Sequence, residues 1–212
     1  SGPLSFEYFI NENKIIKNCG YGSQISRKAE LLSRLTSAQS TLCLNDTSVT
    51  RFERNKIINS AFGTSIKNSF KVFDTSYNDD TSGFIATASH NAYEKNLGYV
   101  HKRSIKILKR NSDLFGTDYI IKKKNKASKV IYNIRFHLYP GITAVQTMGG
   151  NSILLQVEKN NSLIFSSSEQ KISIEKSIFL GRNKILNNSC ITIYGKIDNE
   201  DKTINWEIKR NN

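Results

Sequence analysis

The strongest constraint on the fold is a run of short alternating apolar stretches, each closed by polar turn residues, that fills the second half of the chain. The clearest comes last. Ile191, Ile193 and Ile197 alternate, residues 198–202 turn, and Ile204, Trp206 and Ile208 alternate back. Period-two alternation bounded by Asn, Asp and Gly is the mark of a half-buried strand and its hairpin. The same reading gives strands over residues 84–89, 99–108, 115–121, 130–139, 153–157, 163–167 and 171–174, with a turn at Lys159-Asn160-Asn161. Earlier, residues 4–10 and 14–19 form a hairpin across Asn11-Glu12-Asn13, and residues 41–44 form a short strand. Residues 45–82 carry apolar anchors without a period: Phe52, Ile57, Ile58, Phe62, Phe70, Val72 and Phe73. The stretch from Tyr77 to Gly83 reads as turn chemistry.

Only residues 27–35 read as helical, with Ala29, Leu32 and Leu35 sharing one side. A helix this short needs a surface to pack on. The pattern therefore predicts an all-β fold: a large antiparallel β-sandwich of stacked sheets with one short helix near residues 27–35. No repeat or boundary divides it, so residues 1–212 read as a single β-sandwich domain.

The 212 residues, 38% hydrophobic and 10% aromatic, can bury a core without covalent staples. With 2 prolines and 12 glycines the chain is neither linker nor low-complexity sequence. The net charge of +13 favours a polyanionic partner: acidic polysaccharide, nucleic acid or anionic membrane surface. The competing explanation is a general bias toward Lys, Ile and Asn, with 23 Asn, that leaves lysines merely solvated. The excess is local, however. Residues 95–135 hold twelve Lys/Arg against Asp113 and Asp118, densest at Lys122-Lys123-Lys124 and Lys126. That loop can touch a sulfated or uronate chain, or serve as a guard against edge-strand aggregation.

Cys19, Cys43 and Cys190 are far apart and form no CxxC, so they read as small buried hydrophobes and leave the compartment open. No apolar run approaches the ~20 residues of a membrane span, so no membrane partner is expected. Ser1-Gly2-Pro3-Leu4 enters strand-like sequence directly and reads as a cut inside a longer protein.

All three histidines sit in strand-like sequence beside an arginine or tyrosine. His90 is followed by Tyr93. With Asp46 or Asp74 it is a weak metal-ligand candidate, and a strand-end histidine satisfied by backbone is the plainer alternative. His101 shares a strand face with Tyr99 and Arg103, a polar stripe that either lines a sugar cleft or faces water. His137 shares a face with Arg135 and Tyr139, opposite Ile134, Phe136 and Leu138. Arg135 can pair bidentately with a carboxylate, or Arg135 and His137 can hold neighbouring strands together. Trp206 reads as core. No phosphate loop, Ser-His-Asp arrangement or RNA-binding signature appears.

Five segments in order resemble the C-terminal β-domain of heparinase II/III-like polysaccharide lyases. They are Gly2-Pro3-Leu4-Ser5-Phe6-Glu7 with Asn18-Cys19-Gly20, Ala38-Gln39-Ser40-Thr41-Leu42, Ala88-Ser89-His90-Asn91-Ala92-Tyr93 with His101-Lys102-Arg103, Arg135-Phe136-His137-Leu138-Tyr139-Pro140-Gly141, and Ser177-Ile178-Phe179-Leu180-Gly181. The resemblance implies a β-sandwich that normally faces an N-terminal (α/α) toroid, missing here, across a cleft holding an acidic polysaccharide such as a glycosaminoglycan. In such enzymes the uronate carboxylate is neutralised, a Tyr or His removes the C5 proton, and an acid protonates the leaving oxygen. Most of those groups come from the toroid.

The resemblance makes Gln39, His90, Tyr93, His101, Arg103, Arg135 and His137 candidates to face substrate. The family usually has histidine where Gln39 stands, and glutamine neither titrates near neutral pH nor ligates metal well. The family's zinc or calcium site is therefore not expected, and no cofactor is. The expected function is binding, and β-elimination in the full-length protein, of a uronate-containing polysaccharide, the fragment alone being inactive. The alternative is a non-catalytic carbohydrate-binding or docking module in a degenerate relative; a nucleic-acid binder is the third reading. The resemblance is to bacterial proteins and leaves periplasm and cytoplasm both open.

Overall fold

The computed structural model describes residues 2–53, 65–67, 69–158, 161–169 and 171–211. The anchors Ile57, Ile58 and Phe62 and the turn residues Lys159 and Asn160 lie outside the described residues. The chain opens with an antiparallel hairpin, β1 (Tyr8–Ile10) and β2 (Asn13–Ile16). Asn11 takes φ +53°, as a tight turn requires, and asparagine tolerates it. Helix α1 (Arg27–Ser33) follows, started by Ser26, whose hydroxyl accepts from the Ala29 amide at 3.1 Å. A 3₁₀ turn (Thr36–Ala38) leads into β3 (Leu42–Leu44).

The rest is strand after strand. β4 (Val72–Asp79) and β5 (Gly83–His90) form a hairpin, and helix α2 (Glu94–Leu97) leads to β6 (Tyr99–Leu108) and β7 (Leu114–Lys122). Then come β8 (Val130–His137), β9 (Thr143–Gln146), β10 (Ser152–Glu158) and β11 (Asn161–Ser167). The long hairpin β12 (Ile172–Gly181) and β13 (Lys184–Ile197) and then β14 (Lys202–Arg210) complete the chain. The large sheet runs β4-β5-β6-β7-β14-β11-β10-β9 and the small one β12-β13-β8-β3, with every pairing antiparallel.

The inner faces meet in one apolar cluster. Its centre is aromatic. Phe136 of the small sheet packs edge-on against Phe165 at 5.0 Å and Trp206 at 4.7 Å, both of the large sheet. Phe6 stacks on Trp206 from the side at 5.4 Å. Trp206 fits because residue 116 is glycine: a Cβ there would stand 2.0 Å from the indole ring.

The all-β sandwich expected from sequence is thus what forms, with five differences of detail. Residues 77–79 continue β4 rather than starting a turn; the turn is held by Asp80, whose Oδ1 accepts from the amides of Ser82 (2.8 Å) and Gly83 (3.2 Å). β4 is an almost wholly exposed edge strand, so no apolar alternation marks it. β9 was likewise unmarked, and β12 continues seven residues past Ile174. A second short helix, α2, appears, closed by Gly98 at φ +84°. In α1 the inward residues are Ala29 and Ser33, while Leu32 is exposed. The helix lies so close to residue 22 that a Cβ on Gly22 would be 2.4 Å from Ala29, leaving no room for leucine on that side.

Candidate functional site

The strand pairing brings His90, His101, Arg103 and Asp118 into one row on the inward face of the large sheet. His90 lies opposite His101 across β5 and β6, and Arg103 opposite Asp118 across β6 and β7. All four are sealed from solvent, at 0%, 0%, 2% and 0% exposure. The His101–Arg103 stripe therefore faces the interior, not an open cleft. Alternation had grouped these residues correctly but could not say which face is buried.

Their hydrogen bonds fix the protons. The Ala92 amide donates to His90 Nδ1 at 3.2 Å, so the neutral ring carries its proton on Nε2. That proton is directed to His101 Nδ1, 3.1 Å away. His101 then carries its own proton on Nε2 and donates it to Asp118 Oδ1 at 2.6 Å. Asp118 also accepts from Arg103 Nε (2.7 Å), Arg103 Nη2 (3.0 Å) and Trp206 Nε1 (2.8 Å). Both carboxylate oxygens are thus doubly bonded, the condition under which a buried charge is tolerated.

Burial, with the neighbouring His101 and Arg103 adding to it, pushes the His90 pKa down to about 2. Burial also lowers that of His101 and outweighs the opposing pull of Asp118. Burial would raise Asp118, but Arg103 and His101 more than reverse this and keep it ionised. Tyr93 packs beside His90 and donates its hydroxyl to the Leu42 carbonyl at 3.2 Å; burial raises its pKa well above the ordinary value.

A second cluster surrounds His137. Its Nε2 donates to the Ser37 carbonyl at 2.9 Å, leaving Nδ1 to accept from Ser177 Oγ (3.0 Å) and Cys19 Sγ (3.3 Å). Burial is the main reason its pKa falls to about 4, and burial likewise pushes the Cys19 thiol up to about 11. Ser40 links the two clusters. Its carbonyl accepts from Arg103 Nη1 (2.9 Å) and its hydroxyl from the His137 amide (3.0 Å).

Gln39 stands next to Ser40, half-buried, its Nε2 donating to the Ser33 carbonyl at 2.8 Å. Gly2 presses on it so closely that a Cβ there would lie 2.4 Å from the glutamine side chain. Arg135 lies apart. It donates to Asn133 and, at 3.0 Å, to Asp46 Oδ1, which Asn133 Nδ2 also reaches at 2.8 Å. These bonds lower the Asp46 pKa, the Arg135 bond most. Arg135 thus braces the loop after β3.

The weak metal-ligand candidates His90, Asp46 and Asp74 do not come together. Both His90 nitrogens are engaged, Asp46 is held by Arg135 and Asn133, and Asp74 projects from the exposed edge strand β4. Among the described residues no three His, Cys, Asp or Glu form a ligand set. The donor set among the described residues does not fit the family's metal.

Sequence reading missed Asp118 and Ser40 as members of these clusters. Asp118 left a signal: it interrupts the inward series Leu114, Gly116, Ile120. A carboxylate in an apolar face needs a buried cation, and Arg103 is its cross-strand partner. Ser40 left none.

The sequence matches the family described as "Heparinase II/III-like, C-terminal" over residues 1–207. The chain belongs to this family. Among solved structures it is similar to heparan sulfate lyase HepC from Pedobacter heparinus, with 14% identity and a TM-score of 0.73, covering 97% of this chain and 30% of that one. It is also similar to the heparinase III BT4657 gene product (14% identity, TM-score 0.71, 98% of this chain and 30% of that one). A further heparinase III gives 15% identity and TM-score 0.69 over 97% of this chain and 29% of that one. At such identities the likeness is one of fold. No curated protein sequence matches the chain. This heparinase II/III-like chain spans under a third of the length of these structural relatives.

Proposed function

We propose that this chain is the β-domain of a heparinase II/III-like polysaccharide lyase-type protein and contributes to binding an acidic, uronate-containing polysaccharide. The family match over residues 1–207 carries the reading, and the lysine excess supports it. Its partner in the full-length protein is a helical toroid, and β-elimination belongs to the two halves together.

In this chain's share the side chains position rather than transfer protons. His90, His101 and His137 are neutral, buried and fully engaged. Gln39, with Ser40 behind it, presents an amide to a sugar hydroxyl or carboxylate; Arg103 and Asp118 hold that segment from below. His90, Tyr93, His101, Arg103 and His137 then act through the shape of the cleft wall.

Incubation of the chain with heparan sulfate, heparin and alginate tests this through the ultraviolet absorbance of the unsaturated uronate product. Binding without turnover is expected; robust turnover would place the proton-transfer groups in this chain and overturn the reading. A second reading, a docking module with no catalytic counterpart, is favoured by the way Gln39 is pinned to Ser33. Gln39→His in the full-length protein separates the two: a change in activity supports the lyase, and none supports the docking module.

A further inference from the structure

We infer that the outward face of the eight-stranded sheet is a second contact surface for a linear anionic glycan, remote from the Gln39 wall. The inference rests on the reading of the chain as a polysaccharide-handling domain. On β6 and β7 the inward residues are His101, Arg103, Gly116 and Asp118, so their sequence neighbours project outward. Register then sets Lys102 beside Tyr119, Ser104 beside Thr117, and Lys106 beside Phe115. β14 continues these rows with Asn205 beside Thr117 and Glu207 beside Phe115, and β11 adds Ser166 beside Glu207. All these side chains are exposed or half-exposed, and a shallow groove of about 400 Å³ runs between β7, β14 and β11.

Three properties of this face match a charged sugar chain. Two aromatic rings carry lysines: Lys102 Nζ lies 5.8 Å from the Tyr119 centroid and Lys209 Nζ 5.1 Å from that of Phe115. Ring faces suit the C–H face of a pyranose, and the ammonium groups suit its carboxylate or sulfate. Second, hydroxyls and an amide cross the sheet in a line. Thr87 bonds Ser104 at 2.9 Å and Thr117 bonds Asn205 at 2.9 Å, which leaves further donor and acceptor capacity on each.

Third, the charge on β5, β6 and β7 is one-sided. The outward positions of β5, β6 and β7 include no acid. Among the described residues, Lys102 and Lys106 form no close ion pair, Lys106 acting on Asp80 only from a distance, whereas Lys209 shares Glu207 at 2.7 Å. Lys102 and Lys106 are about 13 Å apart along one strand face. At the strand ends Lys124 Nζ donates to the Lys95 carbonyl at 2.6 Å. An ordinary solvated sheet face needs neither the rings nor three adjacent strands without an outward acid.

The test is calorimetric titration of the chain with a size-defined heparan sulfate oligosaccharide at several salt concentrations, with an alginate oligosaccharide and a DNA duplex as competitors. Lys102→Ala/Lys106→Ala is expected to weaken glycan binding about tenfold and to lower the slope of log affinity against log salt by about two. The control Lys184→Ala/Lys196→Ala removes the same charge from the small sheet and is expected to stay within roughly twofold. Hydrogen exchange with bound oligosaccharide should show added protection on β6, β7 and β14. Equal losses in both double variants, unchanged binding in the first, or displacement of glycan by DNA at lower concentration than by alginate would each overturn the inference. If the wild-type chain binds no acidic glycan, the proposed function fails as well; binding that survives Lys102→Ala/Lys106→Ala fails only this surface.

Discussion

At the scale of single residues, the interior holds more charge chemistry than a sandwich core requires, and it is arranged as a closed circuit. Asp118 is its centre, accepting from His101, Arg103 and Trp206. Asp118→Asn keeps the volume but leaves Arg103 buried without a counter-charge. A loss of about 3–5 kcal/mol in urea unfolding is expected, the range for breaking a buried pair from one side. The histidines set the pH dependence. His137 is held down to about 4 and His90 to about 2, from an unperturbed 6.5. Between those values the unfolded chain binds protons that the folded chain refuses, so stability rises with pH across that window. It is complete above about pH 6.5 and falls on acidification, by up to about 1.4 kcal/mol per pH unit for each histidine. Denaturation midpoints from about pH 7 down to about pH 5 check this; a flat profile would mean that these rings are charged in the fold. Sequence alone placed His90, His101, Arg103 and His137 in strands, yet it left the stripe's direction open. Burial of a polar stripe depends on Asp118, and a lone acid in a lysine-rich stretch reads as surface.

At the scale of elements, what was legible followed apolar alternation, and what was not lacked it. β7 and β14 bury one side chain in two and, with β6 and β8, match their sequence-based bounds closely; β13 is legible only from Ile191 to Ile197, because its first seven residues, 184–190, carry no apolar alternation. β4 and β9 lie at the two edges of the large sheet with exposed side chains, so pairing alone defines them. β14 shows how a strand is specified from across the sheet: Trp206 faces Gly116, and the glycine is the space the indole occupies. Gly116→Ala should therefore cost about 1–3 kcal/mol, the range for overpacking, despite the gain in strand propensity. Thermal unfolding of the variant checks it. Unchanged stability would show that the ring shifts freely, contrary to its bond to Asp118.

At the scale of the whole molecule, the two sheets differ in width, eight strands against four, and Ser40 ties their polar clusters together. β5 and β6 carry His90, His101 and Arg103 toward the loop of Ser40, which bridges to His137 on the small sheet. The N-terminal segment closes this seam: Leu4 accepts from Arg103, Pro3 accepts from Thr41, and Phe6 stacks on Trp206. One apolar cluster and one hydrogen-bonded seam mean that the sheets cannot part independently. Trp206 is the single tryptophan and sits between them, so its fluorescence reports their separation while far-ultraviolet circular dichroism reports the strands. The two probes should trace one coincident urea transition. A fluorescence change that precedes the loss of strand signal would show the small sheet detaching first. The seam would then be a hinge, and the segment of Gln39 and Ser40 would move with it.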